Sequence, residues 1–171
     1  MSRSPLLKIE PSTGEEGASL TKWLLDPIVL RGFPMTDEKE IDDSVRVWMS
    51  YMKKGMGLAA WWDGTLCGIA TLYIQPFQKL AHTCLFSIVV SEEFRGRGIG
   101  TALLGDLIEL AKHRFHIEIL HLEVYEGNPA ERLYKRLGFE PFGKQGHFSK
   151  EGSGQYRAKI FMQKDLRQKG S

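Results

Sequence analysis

Between positions 95 and 100 arginine and glycine alternate, Arg95-Gly96-Arg97-Gly98-Ile99-Gly100, directly after an apolar run and directly before a helix-like one. Glycines strip side chains from the backbone, so successive N–H groups can close on one bulky anion. At the start of a helix the first amides have no partner of their own, and the helix dipole adds partial positive charge. Arg95 and Arg97 add full charges. The chemistry such a loop serves is the binding of a phosphate or pyrophosphate. A Walker loop needs Lys and then Ser or Thr after its second glycine, where Ile99-Gly100 stands here. A dinucleotide fingerprint counted from Gly98 and Gly100 meets Leu103 where its third glycine belongs, and it would sit on the first strand of the fold. Neither loop is present. Glu92 and Glu93 read as a cap or a solvated face rather than as paired acid catalysts.

The elements that must hold this loop follow from period and punctuation. A short strand is expected over 6–9, then a helix over 14–30 with Leu20, Trp23, Leu24 and Ile28 at helical spacing. A second helix starts at Asp37, with Glu38 and Glu40 in its first turn and Val45, Trp48 and Met52 following, and closes at Lys53-Lys54-Gly55. Asp63-Gly64 between two apolar runs predicts a tight hairpin, whose second strand breaks at Gln75-Pro76. The run 82–90, HTCLFSIVV, predicts a strand covered on both faces. After the arginine-glycine loop come an amphipathic helix over 101–113, a strand over 117–125, a helix opened by Asn128-Pro129 and stopped at Gly138-Phe139, and a final hairpin over 139–148 and 156–162. The fold class implied is α/β: a single domain with a mixed sheet, whose strand-helix-strand unit makes a right-handed crossover. A polar tail is expected over 163–171.

Whole-chain properties agree with one soluble domain. The chain has 171 residues, 42% of them hydrophobic and 26% charged, with a formal net charge of +2. That is enough apolar material for a core without staples, and too little charge to indicate a nucleic-acid or polybasic membrane binder. Cys67 and Cys84 sit in apolar runs without metal-ligand spacing and read as reduced core residues. MSRSPLLKIEPS carries no apolar signal core and no segment reaches spanning length, so the expected compartment is the cytoplasm, with no membrane and no nucleic-acid partner. Of Trp61 and Trp62, one is expected in the core and the other half covered. A homodimer is left open.

Arg95-Gly96-Arg97-Gly98-Ile99-Gly100 resembles the R/Q-x-x-G-x-G/A signature of the GCN5-related N-acetyltransferase (GNAT) superfamily. Val90, five residues earlier, falls where that family ends its central strand. Leu133-Tyr134-Lys135-Arg136-Leu137-Gly138-Phe139 resembles the family's L-Y-x-x-x-G-F segment, in the family's order. The resemblance spans about residues 5–165 and implies one N-acetyltransferase domain over 1–171. Its sheet would be mixed and largely antiparallel, with a central splayed strand pair and about four flanking helices.

The resemblance implies transfer of an acetyl group from acetyl-CoA to a primary amine of a small molecule or a protein or peptide N-terminus, by direct attack and without a metal. It puts the pyrophosphate on the backbone amides of Arg95, Gly96, Arg97, Gly98, Ile99 and Gly100, extending to Thr101. It sets the pantetheine arm against Ile88, Val89 and Val90, with the splay between this strand and the one ending at Val124-Tyr125. Three services are then needed: a proton acceptor for the amine, backbone N–H donors near Val89 for the oxyanion, and an acid for the departing thiolate. The family motif assigns the acid to Tyr134. Glu123 resembles the LEV glutamate that some protein N-terminal acetyltransferases use as base, and His82 and His147 are further options. Asn128 precedes Tyr134 by six residues, whereas many members have an Asn seven before it. Asn128 is therefore either a contact for the pantetheine arm or an N-cap before Pro129.

The acceptor is expected at the least family-like segments: 30–37, the helix around Trp48, and 143–156. Arg157 and Lys159 suggest an acceptor carrying an acid group. Two other readings remain: a non-catalytic acyl-CoA sensor or scaffold, and a nucleotide-binding module that uses the same loop.

Overall fold

The computed structural model describes residues 2–167. Along the chain it forms β1 (Leu7–Pro11), α1 (Gly17–Leu24), α2 (Pro27–Leu30), α3 (Glu38–Tyr51), β2 (Gly57–Trp62), β3 (Thr65–Ile74), β4 (Thr83–Val90), α4 (Ile99–His113), β5 (Ile119–Tyr125), α5 (Ala130–Arg136), β6 (Glu140–Lys150) and β7 (Tyr156–Asp165). The strands make one sheet in the order β1-β2-β3-β4-β5-β7-β6. Every neighbouring pair is antiparallel except β4 with β5, so the mixed, largely antiparallel α/β fold expected from the sequence is the one observed.

Local chemistry accounts for most boundaries. Asp63 and Gly64 take φ of 46° and 80°, the left-handed pair that turns β2 into β3. Asp37 caps α3 by accepting from the Glu40 amide at 2.9 Å, while Glu40 accepts from the Thr36 amide at 2.6 Å. Gly138, at φ 89°, ends α5, and the Phe139 amide returns to the Tyr134 carbonyl at 3.0 Å.

Three expectations are corrected. The helix over 14–30 is two helices, because Pro27 has no N–H to continue α1 and starts α2 instead, with Asp26 accepting from the Ile28 amide at 2.9 Å. The polar tail does not begin at Gln163. β7 runs on to Asp165, Gln163 faces His121 of β5, and Leu166 is buried. Alternating polar residues had masked an apolar row, Ile160, Met162 and Leu166. Trp61 and Trp62 are both half-buried, one packed on each face of the sheet near the hairpin end of β2.

Two apolar layers enclose the sheet. On one face α4 and α5 pack through Leu103, Leu104, Leu107 and Tyr134 against Cys84, Phe86, Leu120, Leu122 and Val124. Each fully buried leucine there contributes about 1.5–3 kcal/mol. On the other face α1 and α3 pack through Leu20, Leu24, Ile41 and Trp48 against Ala59, Ile69 and Val89. These two helices lie over β2 to β4, and the same face of β5 and β7 carries charged side chains instead. Both cysteines are free and buried. No helix among the described residues is long and apolar enough to cross a membrane.

Candidate active site

β4 and β5 share only three rungs, Thr83 with Ile119, Cys84 with Leu120 and Leu85 with His121. Beyond them each strand follows a different partner: β4 stays with β3 as far as Val90 opposite Gly68, and β5 stays with β7 as far as Tyr125 opposite Lys159. Two antiparallel half-sheets, each with its own twist, thus part at Phe86 and leave a wedge-shaped gap. The amide of Ser91 donates to Cys67 O of the neighbouring strand at 2.8 Å. The register between β3 and β4 has no bulge. By antiparallel alternation, Val89 and Ser87 also turn their amides to β3, and Phe86, Ile88 and Val90 turn theirs into the gap. The sequence pointed to donors near Val89; the free donors belong to its two neighbours, Ile88 and Val90, and to Phe86.

The arginine-glycine loop closes the wide end of the gap. Gly98 caps α4 with φ 76°, and Gly96 has φ 75°. Both are left-handed positions, and a Cβ at either would meet no protein atom within 4 Å. The open space above them is what a bulky anion needs. Gly100 has a different reason: a Cβ there would lie 3.3 Å from Leu133 Cδ2, so its absence lets α5 approach α4. The Arg95 amide is already bonded to Glu92 O at 3.3 Å, whereas no backbone carbonyl among the described residues accepts from the amides over 96–101. The amide row therefore starts at Gly96. Side-chain charge is distributed differently from the sequence expectation. The Arg97 guanidinium lies over Trp62 and Phe94, 5.2 and 5.0 Å from their centroids, and Arg95 pairs with Glu92 at 2.9 Å. The cation that reaches the helix start is Arg136 of α5, which donates to Thr101 Oγ1 at 3.1 Å. Its place inside Leu133-Tyr134-Lys135-Arg136 was the available signal.

Tyr134 stands on the α4 and α5 face, with its ring edge-on to Phe86 at 6.1 Å and to Phe139 at 6.2 Å. Its hydroxyl makes no hydrogen bond to any described residue. Burial pushes the phenol up to about 12, so the group is fully protonated at neutral pH.

The opposite face carries the charges. Glu123 pairs with Lys159 at 3.2 Å; the Lys159 side chain is only 10% exposed, and its ammonium sits 3.9 Å from the Phe148 ring centroid. Arg157 stacks on Tyr125 at 4.0 Å and donates to Arg31 O at 2.7 Å, tying β7 to the end of α2. His121 occupies the last shared rung on this same face. Desolvation lowers its pKa, with Glu123 opposing that shift. Tyr125 and His121 were not picked out in the sequence; only the pairing of β5 with β7 brings them beside Glu123 and Lys159.

Asn128 accepts from the Ala130 amide at 2.9 Å at the start of α5, while its Nδ2 lies 3.4 Å from where a Cβ on Gly32 would be. His82 lies at the closed end of the β4–β5 pair, where its carbonyl accepts from Glu118 and Ile119. His147 packs on Tyr156 in the last hairpin. Neither is at the gap. Among the described residues no group of three His, Cys, Asp or Glu side chains forms a metal site.

The profile of the Acetyltransferase (GNAT) family matches residues 21–139, and the chain belongs to that family. Among curated proteins, the L-amino acid N-acetyltransferase AaaT of Escherichia coli (strain K12) is 32% identical over 84 residues, 48% of this chain and 52% of that one. The chain matches only about half the length of that relative. A ribosomal-protein-alanine N-acetyltransferase from Brucella melitensis superposes with a TM-score of 0.75 at 26% identity, covering 93% of this chain and 99% of that one. The putative acetyltransferase yncA from Salmonella typhimurium, solved with its cofactor acetyl-CoA, has a TM-score of 0.79 at 21% identity and covers 97% of each chain; this likeness is one of fold.

Proposed function

We propose that residues 5–165 form one acetyl-CoA-dependent N-acetyltransferase domain acting on a primary amine of a small molecule or a peptide N-terminus. The observation that carries this reading is the gap between β4 and β5, with Tyr134 on one face of the sheet and Glu123 on the other. The residues present fit acetyl-CoA. The amides over 96–101 with the α4 dipole suit its diphosphate, and the unpaired amides of Phe86, Ile88 and Val90 suit an extended amide-bearing arm that adds to the strand edge. When bound, acetyl-CoA supplies an acyl carbon activated as a thioester, which an amine can attack directly.

The chain's own groups then divide the proton work between the two faces. Glu123 accepts a proton from the acceptor ammonium and so frees its lone pair. The amides of Ile88 and Val90 donate to the carbonyl oxygen as it gains charge. Tyr134 holds its proton in an apolar setting and delivers it to the leaving sulfur. One C–N bond forms and one C–S bond breaks; of the two protons the acceptor ammonium loses, the first goes to Glu123 and the second, leaving the nitrogen once it is bonded to the acyl carbon, makes good the proton that Tyr134 gives to sulfur, so the net proton released passes from Glu123 to solvent.

A thermal-shift series with CoA, acetyl-CoA, ATP and NAD tests the donor, followed by thiol release across polyamines, amino acids, aminoglycosides and peptide N-termini. Stabilisation by CoA and acetyl-CoA with amine-dependent thiol release is expected. Stabilisation by ATP or NAD alone would overturn the reading, and CoA binding without thiol release would favour a sensor or scaffold.

A further inference from the structure

The face of β5 and β7 left bare by α1 and α3 brings four side chains together: Glu123, Tyr125, Arg157 and Lys159. All four share one side of the sheet, since Tyr125 lies directly opposite Lys159 and Glu123 opposite Phe161. We propose that Arg157 and Lys159 recognise a carboxylate attached α to the acceptor amine, so that the acceptor is a free amino acid and not a peptide N-terminus or a simple amine. The inference rests on the acetyltransferase reading of the same gap.

Three observations support it. First, Lys159 is a cation taken almost wholly out of water against Phe148 and Tyr125, at 3.9 and 5.4 Å from their centroids, and among the described residues Glu123 is the one acid paired with it. A desolvated ammonium with three donors and one acidic partner has capacity for a second anion. Second, Arg157 is held in place rather than free. Its guanidinium is stacked on Tyr125 and anchored to Arg31 O, and its nearest acid is Glu151 at the longer distance of 3.6 Å. A planar guanidinium fixed on an aromatic ring is preorganised for a carboxylate. Third, the opposite charges stand side by side, with 3.2 Å between Lys159 Nζ and Glu123 Oε2. An α-amino acid carries its ammonium and carboxylate on one carbon, at a comparable separation. Seating it exchanges one ion pair for two, carboxylate on Lys159 and Arg157 and ammonium on Glu123, where the amine must lose its proton. A peptide N-terminus supplies only the second half of that arrangement and leaves the cations without the added anion.

The test compares matched acceptors in the presence of acetyl-CoA: an L-amino acid, its carboxamide, the amine lacking the carboxyl group, and the aminophosphonate analogue. The wild-type protein is expected to favour the acid over its amide by about tenfold or more in kcat/KM, the size of a hydrogen bond to a charged group. In R157M and in K159M that ratio should fall towards one, and R157K should retain part of it. Equal rates for acid and amide in the wild type would overturn the proposal and leave the acetyltransferase reading standing, as would a preference for the phosphonate. A binding arm separates the two failures. N-acetyl amino acid should stabilise the wild-type protein more than N-acetyl amino acid amide, and R157M should lose that difference even if no amine is turned over. Equal stabilisation by the two, or none by either, would sink the proposal.

Discussion

The ring of Tyr134 stands edge-on to that of Phe86, centroids 6.1 Å apart, and Phe86 is the first residue of β4 without a partner on β5. The phenol is therefore held where the sheet opens. Tyr134→Phe keeps the packing and removes only the proton, so kcat should fall by about 10²–10⁴ while acetyl-CoA affinity stays within twofold. Steady-state kinetics with calorimetric binding decide this, and unchanged kcat would remove Tyr134 from the chemistry. The same burial links the residue to alkaline stability. Its pKa of about 12 in the folded protein lies above the ordinary 10.0, so its contribution is intact below pH 10 and is lost as pH rises towards 12. The Phe variant should lack that part of the alkaline loss in denaturant titrations.

Gly98→Ala tests the loop. The new Cβ would touch no protein atom, so any cost comes from the backbone, which must hold φ 76°. A loss of about 1 kcal/mol in unfolding free energy is expected. Acetyl-CoA affinity should fall by more than that, because the methyl group projects into the space above the amide row. Equal losses in stability and affinity would show that the loop does not approach the donor closely.

His121 gives the protein an acid-sensitive joint at the last β4–β5 rung. Desolvation depresses its pKa from the ordinary 6.5, so the unfolded chain takes up a proton there that the folded protein resists. Stability should be complete above pH 6.5 and decline as pH falls below it. His121→Gln should flatten that decline in urea titrations run between pH 5 and 8. A decline identical to that of the wild type would assign it to other groups.

Asp37→Ala probes the frame without touching the site. The Asp37 carboxylate accepts from the Glu40 amide at the start of α3. Its loss should cost about 1 kcal/mol and lower Tm by about 2–4 °C. Activity per folded molecule should be unchanged, and a drop in kcat would mean that α3 helps to shape the acceptor cleft.

Much of this protein is determined locally and can be read residue by residue. The alternation of arginine and glycine at 95–100 sets a left-handed loop and a bare helix start, Asp63-Gly64 sets a hairpin, Asp37 sets a cap, and Gly138 ends α5. In each case the backbone conformation depends on the residues at that spot. The L-Y-x-x-x-G-F segment likewise carried Tyr134 and, unremarked, Arg136. Other features depend on which strand lies beside which. The end of β7 at Asp165 was hidden because polar residues on the outward face of a strand look like a tail until the partner strand shows which face they occupy. Near Val89, the amides that turn to the gap are those of Ile88 and Val90 while that of Val89 turns to β3, because the direction of an amide is set by strand pairing. The grouping of Glu123 and Tyr125 with Arg157 and Lys159 crosses more than thirty residues of chain and exists only through the register of β5 on β7. The sequence by itself thus determined the arginine-glycine loop, the helix that follows it and the place of the tyrosine. The tertiary structure alone decided where the sheet opens and which charges face the opening, because pairing and register are properties of two strands together.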